Sequence, residues 1–229
     1  MHDTLHVSSQ FDEDLNRLRS HVLQMGGLIE TQITLAIEAY ATGEIDNVSA
    51  ILEGERKINA LEMLIDDDCT HIIAKRQPTA SDLRLVLGIS KIVTDLERSG
   101  DEVKKIAKAI RRIHESGHQT AQFGVGIRHI AESALAMIRA ALDALARMDL
   151  GQAQATIKAD ADLDIEFKSI IRQLITHMME DPRTITTALE IMTIARAIER
   201  VGDHAKNICE YVVFVSEGQD IRHRKEMSA

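Results

Sequence analysis

Apolar residues recur every three or four positions along almost the whole chain, which is the period of an amphipathic α-helix. The pattern falls into six long segments joined by short connectors: Phe11–Ala41, Glu44–Arg76, Ser81–His114, Phe123–Met148, Gly151–Glu180 and Thr184–Val215. Segments near 30 residues would be about 45 Å long as helices. Connectors as short as 41–43 and 148–150 predict that consecutive helices run antiparallel. The chain is therefore predicted to be all-α.

The two prolines of the chain stand at corresponding places in this pattern. Asp181 can cap a helix, and Pro182 fits the first turn because no backbone donor is needed there. Pro78 offers a similar start, with Thr79 or Ser81 as the cap. Each proline thus precedes the last long segment of one half of the chain.

A repeated phrase links the two segments that follow the prolines. Residues 95–101 read DLERSGD and residues 197–203 read AIERVGD, so that equivalent positions are 102 apart. A repeat near 100 residues is too long for a solenoid unit and fits a duplicated three-helix domain. We therefore predict two tandem, pseudo-symmetric three-helix bundles, residues 1–116 and 117–229, with the junction near residues 115–122.

Each repeated phrase carries two acidic residues, Glu97 and Asp101 in the first copy and Glu199 and Asp203 in the second. At about 100° per residue, the carboxylates of one copy lie one turn apart at the margin of the apolar stripe. The preceding long segment of each half offers a second oxygen-bearing pair at the same spacing. These pairs are Glu55 with Asn59, and Asp160 with Asp164.

In an antiparallel pair of helices the four oxygen-bearing side chains of each half can converge. We name these sets the first acidic site (Glu55, Asn59, Glu97, Asp101) and the second acidic site (Asp160, Asp164, Glu199, Asp203). Oxygen ligands suit hard cations, so the sites are predicted to bind Mg, Mn, Fe or Zn ions. Asn59 is a weaker ligand than Asp164, which predicts a looser first site.

The alternative interpretation is a pair of charged stripes along a solvated groove. Arg98 and Arg200 directly follow the glutamates of the repeated phrases and could offset their charge without a metal. Histidine adds little, since His71 and His177 are isolated within apolar stretches. His204 follows Asp203 and could approach the second acidic site.

Composition narrows the classes of function. The chain has 229 residues, a net charge of −9, 3% aromatic residues and no tryptophan. An acidic surface repels nucleic-acid backbones, so no nucleic-acid partner is expected. Neither a signal peptide nor an apolar run long enough to span a bilayer is evident, which predicts a cytoplasmic protein without direct membrane insertion. Cys69 and Cys209 lack a CxxC partner and are predicted to be buried apolar side chains.

No pattern of residues indicates an enzyme. The chain has no glycine-rich phosphate loop and no nucleophile–base arrangement. Its one Glu-x-x-His spacing, Glu115 to His118, spans Gly117 in the expected junction rather than a helix of a di-metal bundle. A di-metal carboxylate enzyme and a metal-free helical scaffold remain as the alternatives to a metal-binding regulator.

Four stretches make the sequence resemble the PhoU family along nearly its whole length. They are QPTASDLR at 77–84, DLERSGDE at 95–102, MEDP at 179–182 and IERVGDHA at 198–205. The resemblance implies two similar three-helix bundles whose E(D)xxxD motifs hold metal clusters, with Asn59 as the departure from the acidic pattern. It also implies a negative regulator of the phosphate regulon that links subunits of the phosphate-specific ABC transporter to a sensor histidine kinase. Family habit and exposed helical faces favour a homodimer.

Overall fold

A computed structural model describes residues 3–117 and 124–218. It contains six helices: α1 (Asp3–Thr42), α2 (Ile45–Arg76), α3 (Ala80–Glu115), α4 (Gly124–Arg147), α5 (Leu150–Glu180) and α6 (Ile185–Glu217). These two ranges include no β-strand, and the predicted all-α class is confirmed. Helix α1 starts eight residues before the predicted Phe11, and the other described ends lie close to the predicted ones. Phe123, His118 and most of the predicted junction lie outside the described residues.

Local signals explain where the last helices of each half begin. Asp181 caps a short 3₁₀ turn, Pro182–Thr184, by accepting a hydrogen bond of 3.1 Å from the backbone N–H of Arg183. This arrangement confirms the predicted cap and the predicted place of Pro182. Thr79 is the N-cap residue of α3 and has extended backbone angles, but its hydroxyl makes no capping hydrogen bond.

The six helices form two sets of three, α1–α3 and α4–α6, which we call the first and second half. Helices α3 and α6 are the inner helices, and they pack against each other more extensively than any other pair. Helix α1 also packs against α4, so the apolar core continues from one half into the other. The apolar stripes predicted for α3 and α6 are buried throughout, as expected for helices at the centre.

The inner helices are also buried on a second, more polar face. Asp95 of α3 is buried and shares a hydrogen bond of 2.8 Å with His204 Nδ1 of α6. It also accepts one from Asn207 at 3.0 Å. Glu102 is buried too and accepts hydrogen bonds from Lys105 and Arg200. Buried polar groups need such partners, and here the partners come largely from the other half.

Two further predictions concern single features of the chain. Cys69 and Cys209 are buried as predicted, and burial raises the pKa of each thiol to about 12. Among the helices of the described ranges, none combines the length and apolar character that crossing a bilayer requires.

Candidate metal centres

The first acidic site lies along the contact between α2 and α3. Lys104 Nζ of α3 donates a hydrogen bond to Glu55 Oε1 of α2. The same ammonium lies 3.8 Å from Asp101 Oδ1, one turn before it in α3. Asn59 is exposed and donates a long hydrogen bond of 3.4 Å to Glu55. The lysine thus connects proposed ligands from both helices.

Glu97 has an unfavourable electrostatic environment in the first acidic site. Partial burial raises its pKa, and the nearby charges of Asp101 and Glu62 raise it further, with only Arg98 acting in the opposite direction. The charges of Asp101 and Glu62 disfavour ionisation of Glu97, as like charges at short range do. A cation placed among them would relieve this repulsion.

Glu62 is a further carboxylate near the first acidic site that was not predicted from the sequence. It lies seven residues after Glu55 in α2, which places both on one face of the helix. Burial raises the pKa of Glu62, and the charges of Asp66 and Asp101 add to the effect. The seven-residue spacing was a signal that could have identified it. The first half therefore has an additional carboxylate that offsets the neutral Asn59.

The second acidic site lies at the equivalent contact between α5 and α6. Asp160 Oδ2 accepts a hydrogen bond of 2.7 Å from Lys206 Nζ. Asp164 is 3.3 Å from Lys168 one turn later in its own helix. Glu199 is 3.3 Å from Arg196. Three of the four predicted ligands thus have a cationic partner in the chain itself.

In the second acidic site, burial and the charges of the α5 carboxylates raise the pKa values of the two α6 carboxylates. Burial raises the pKa of Asp203, and the charges of Asp160 and Asp164 raise it further. Burial likewise raises the pKa of Glu199, followed by the charges of Asp203 and Asp164. The structure therefore brings the four predicted residues of this half close together. That they bind a metal stays a prediction.

The residues of both sites fit a hard cation in their chemistry but not as a preformed cluster. Their donors are carboxylate or amide oxygens, the ligands that Mg²⁺ and Mn²⁺ prefer. Within residues 3–117 and 124–218, no three His, Cys, Asp or Glu side chains are arranged to hold one ion. Lysine ammonium groups contact the oxygens instead, so a bound cation would require these side chains to rearrange.

Of the two arginines expected to offset the charge of the sites, only Arg98 acts on its glutamate, Glu97. Arg200 donates to the buried Glu102 rather than to Glu199, and Arg98 only moderates the charge of Glu97 from nearby. Lys104 and Lys206 make the close contacts instead. The signal was present in the chain, because these two lysines are also 102 positions apart.

His204 does not point to the second acidic site as expected. Its ring hydrogen-bonds to Asp95 of the other half, and its side chain is only 13% exposed. The physical reason is that His204 lies on the second buried face of α6, which packs against α3. His204 is therefore part of the contact between the halves.

Comparisons with known proteins agree with this architecture. The model of the PhoU domain family matches the chain twice, at residues 22–110 and 127–212, once in each half. The phosphate-specific transport system accessory protein PhoU of Serratia marcescens is 44% identical over 95% of this chain and 89% of its own length. The homolog from Pseudomonas aeruginosa is 43% identical over 96% of this chain and 90% of its own.

Two solved structures have the same fold. The crystal structure of PhoU from Pseudomonas aeruginosa matches with a TM-score of 0.88 and 42% identity, covering 91% of this chain and all of that one. The phosphate transport system regulatory protein PhoU from Streptococcus pneumoniae matches with a TM-score of 0.84 and 26% identity, covering 92% and 99%. The similarity thus extends over both halves.

Proposed function

Because this chain belongs to the PhoU family, we propose that it is a metal-binding regulator of phosphate uptake. In this proposal it is a cytoplasmic adaptor between the phosphate-specific ABC transporter and a sensor histidine kinase, and it restrains the phosphate regulon. The observation that carries the proposal is the 44% identity, over 95% of the chain, with a phosphate-specific transport system accessory protein. A regulator of this kind has no catalytic residues of its own.

The shape of the molecule suits an adaptor. Helices of 31 to 40 residues, such as α1 and α5, present long continuous faces. Some apolar side chains on these faces are exposed, for example Met63, Ile165 and Met179. A partner protein or a second copy of the chain in a homodimer could bury them. Regulation would follow if the chain had different affinities for the active and inactive states of the kinase, which would shift their populations.

Metal binding would belong to the two acidic sites. The proposed ligands are the eight residues that define the two sites: Glu55, Asn59, Glu97, Asp101, Asp160, Asp164, Glu199 and Asp203. Glu62 is a ninth proposed ligand, at the first acidic site. A bound divalent cation would offset the neighbouring negative charges that raise the pKa of Glu97 and of Asp203. Because ligands would come from two helices at each site, occupancy would also tie α2 to α3 and α5 to α6.

The regulatory part of the proposal is tested by deleting the gene. We expect the deletion strain to express phosphate-starvation genes in phosphate-rich medium, and the wild-type gene on a plasmid to restore repression. A pull-down in high and low phosphate should recover the kinase and transporter subunits. Unchanged reporter expression after deletion would contradict the regulatory role.

The metal assignment is tested by elemental analysis of untagged protein purified without chelator. Glu97→Ala and Glu199→Ala should each lower the bound metal per chain. The control is Asp143→Ala, which removes an exposed carboxylate from α4. Equal metal content in the wild type and all three variants would contradict the ligand assignment.

One observation favours a second candidate, the metal-free helical scaffold. Lys104 and Lys206 already contact oxygens of both acidic sites, so the carboxylates have internal counter-charges. Metal-free protein as purified, together with normal regulation by the Glu97→Ala and Glu199→Ala variants, would favour this candidate. A di-metal carboxylate enzyme would instead be revealed by turnover of phosphoesters or Fe(II) that is lost in Glu199→Ala.

A further inference from the structure

Two equivalent lysines stand at the acidic sites and have no role in the function proposed above. Lys104 and Lys206 each follow the aspartate of the repeated motif by three residues, Asp101 and Asp203. Each reaches from the inner helix to an acid of the preceding helix, Glu55 for Lys104 and Asp160 for Lys206. The same cross-helix ion pair therefore occurs once in each half.

The two ion pairs also have matching environments. The acceptor side chains are 15% and 14% exposed, and the lysine side chains are 27% and 33% exposed. The neighbouring Lys105 behaves differently, because it pairs with Glu102 in its own helix and its counterpart in the second half is Asn207. Among the residues that the structure describes, Lys105 therefore has neither a cross-helix pair nor an equivalent lysine in the second half, unlike Lys104.

An ammonium group and a divalent cation compete for the same oxygens. Lysine supplies a single positive charge through three N–H donors, at the end of a flexible stem. A metal ion binds carboxylate oxygen directly and at shorter distance, and it carries twice the charge. A metal ion that binds Glu55 Oε1 or Asp160 Oδ2, the oxygens that the ammonium groups contact, would meet a like charge at short range and drive the ammonium away. The lysine stem is long enough to carry its charge towards solvent.

We propose that Lys104 and Lys206 are internal counter-cations that occupy the acidic sites in the metal-free protein, are displaced when metal binds, and so set metal affinity. This inference rests on the proposed metal binding. In the metal-free state the lysines hold α2 to α3 and α5 to α6. In the metal-bound state the ion makes that connection and the lysines are released to solvent.

The first test measures Mn²⁺ affinity in chelator-treated, full-length protein. Lys104→Met and Lys206→Met remove the charge but keep an apolar stem of similar length. Each should bind Mn²⁺ about tenfold more tightly at its site, because a like charge at about 4 Å has been removed. Lys105→Met is the control, since it removes the same charge from the adjacent position and should leave Mn²⁺ affinity close to that of the wild type.

The second test follows the lysines in the wild-type chain, so it does not depend on variants that fold. An amine-acylating reagent is applied with and without Mn²⁺, and modification at each lysine is quantified by mass spectrometry. Mn²⁺ should raise modification at Lys104 and Lys206 by about twofold or more, as their ammonium groups leave partly buried carboxylates. Lys105 should be unaffected.

The outcomes separate the two proposals. If wild-type protein binds Mn²⁺ through Glu97 and Glu199, but the lysine variants bind it no more tightly and acylation does not change, the counter-cation role is overturned and the metal sites stand. If neither the wild type nor a Lys104→Met/Lys206→Met double variant binds Mn²⁺, both proposals fail. Binding by the double variant alone would support displacement as the barrier to metal entry.

Discussion

Two carboxylates of this protein have opposite electrostatic environments, one at an acidic site and one at a contact between two helices. Glu97 is surrounded by other acids, and burial together with their charges raises its pKa. Asp14, at the contact between α1 and α2, is buried while Glu97 is half-buried, but Asp14 lies between two arginines. The first environment costs folding free energy and suits a binding site, whereas the second stabilises the fold.

Asp14 provides a prediction of pH dependence. Burial opposes its charge, but hydrogen bonds and charges from Arg76 and Arg17 outweigh it and lower the pKa of Asp14. A lowered pKa in the folded state means stability that is present above the unfolded pKa and lost as pH falls through the folded one. Asp14→Asn should therefore reduce the free energy of unfolding at neutral pH by about 1–3 kcal/mol.

The difference between Asp14→Asn and wild type should shrink as the pH falls below the ordinary range of aspartate, because the wild-type carboxylate is then protonated as well. Urea unfolding at a series of pH values measures it. Asp12→Asn, an exposed position two residues earlier, is the control and should differ little from wild type. A pH-independent deficit in Asp14→Asn would show that packing, not charge, is responsible.

The grouping of the acidic side chains could be predicted from the sequence. The 102-residue repeat also marks Lys104 and Lys206 as equivalent, but which oxygens they contact could not be predicted. The i,i+4 spacing fixes which side chains share a helical face, so the grouping of Glu199 with Asp203 follows from sequence. Which cation meets them depends on how far each neighbouring helix is rotated and shifted. Glu199 thus contacts Arg196 of its own helix, whereas Arg200 donates to Glu102 of α3 and Lys206 reaches Asp160 of α5.

At the scale of elements, close approach between helices depends on small residues at particular positions. A Cβ atom at Gly26 of α1 would lie 2.5–3.1 Å from three side-chain carbons of Leu142 in α4. A Cβ atom at the adjacent Gly27 would meet nothing within 4 Å. Gly26 is therefore where α1 of the first half packs against α4 of the second.

This pair of glycines gives a matched prediction. Gly26→Ala should destabilise the protein by about 1–3 kcal/mol, because the buried Leu142 side chain must be displaced. Gly27→Ala should stabilise it by about 0.5–1 kcal/mol, since alanine favours an exposed helix interior. Thermal or urea unfolding of both variants measures the difference. Equal effects at the two positions would mean that α1 and α4 do not approach as described.

Helix positions were predictable from periodicity, whereas the burial of the inner helices on two faces was not. The pattern in α3 identifies one apolar stripe, and all of that stripe is buried. Asp95 and Glu102 lie on another face and look like solvent-exposed residues in sequence. They are buried because α6 covers them and supplies hydrogen-bond donors, which requires knowledge of how the two halves dock.

At the scale of the whole molecule, the repeat predicts two bundles but not whether they pack against each other. Two copies 102 residues apart could be separate domains on a linker or parts of one packed unit. The structure shows the second case, with α3 against α6 and α1 against α4. Metal occupancy in one half could therefore affect the other through contacts such as that of His204 with Asp95.

A shared core has a consequence for unfolding. Unfolding of the first half would expose the face of α6 that packs on α3 and leave His204 and Asn207 without their partner Asp95. Exposing this much packed surface is unfavourable, so neither half should persist alone. We therefore expect one cooperative unfolding transition.

The chain provides its own reporters for this test, because it has no tryptophan and two tyrosines, Tyr40 in the first half and Tyr211 in the second. Tyr211→Phe leaves Tyr40 as the only fluorophore, and Tyr40→Phe leaves Tyr211. In each variant, the urea midpoint from tyrosine fluorescence should coincide with the midpoint from far-UV circular dichroism. Comparing two probes within one variant cancels any stability change caused by the lost hydroxyl. Separate midpoints for the two halves would mean that they unfold as independent domains, and coupling between the acidic sites through the core would then lose its physical basis.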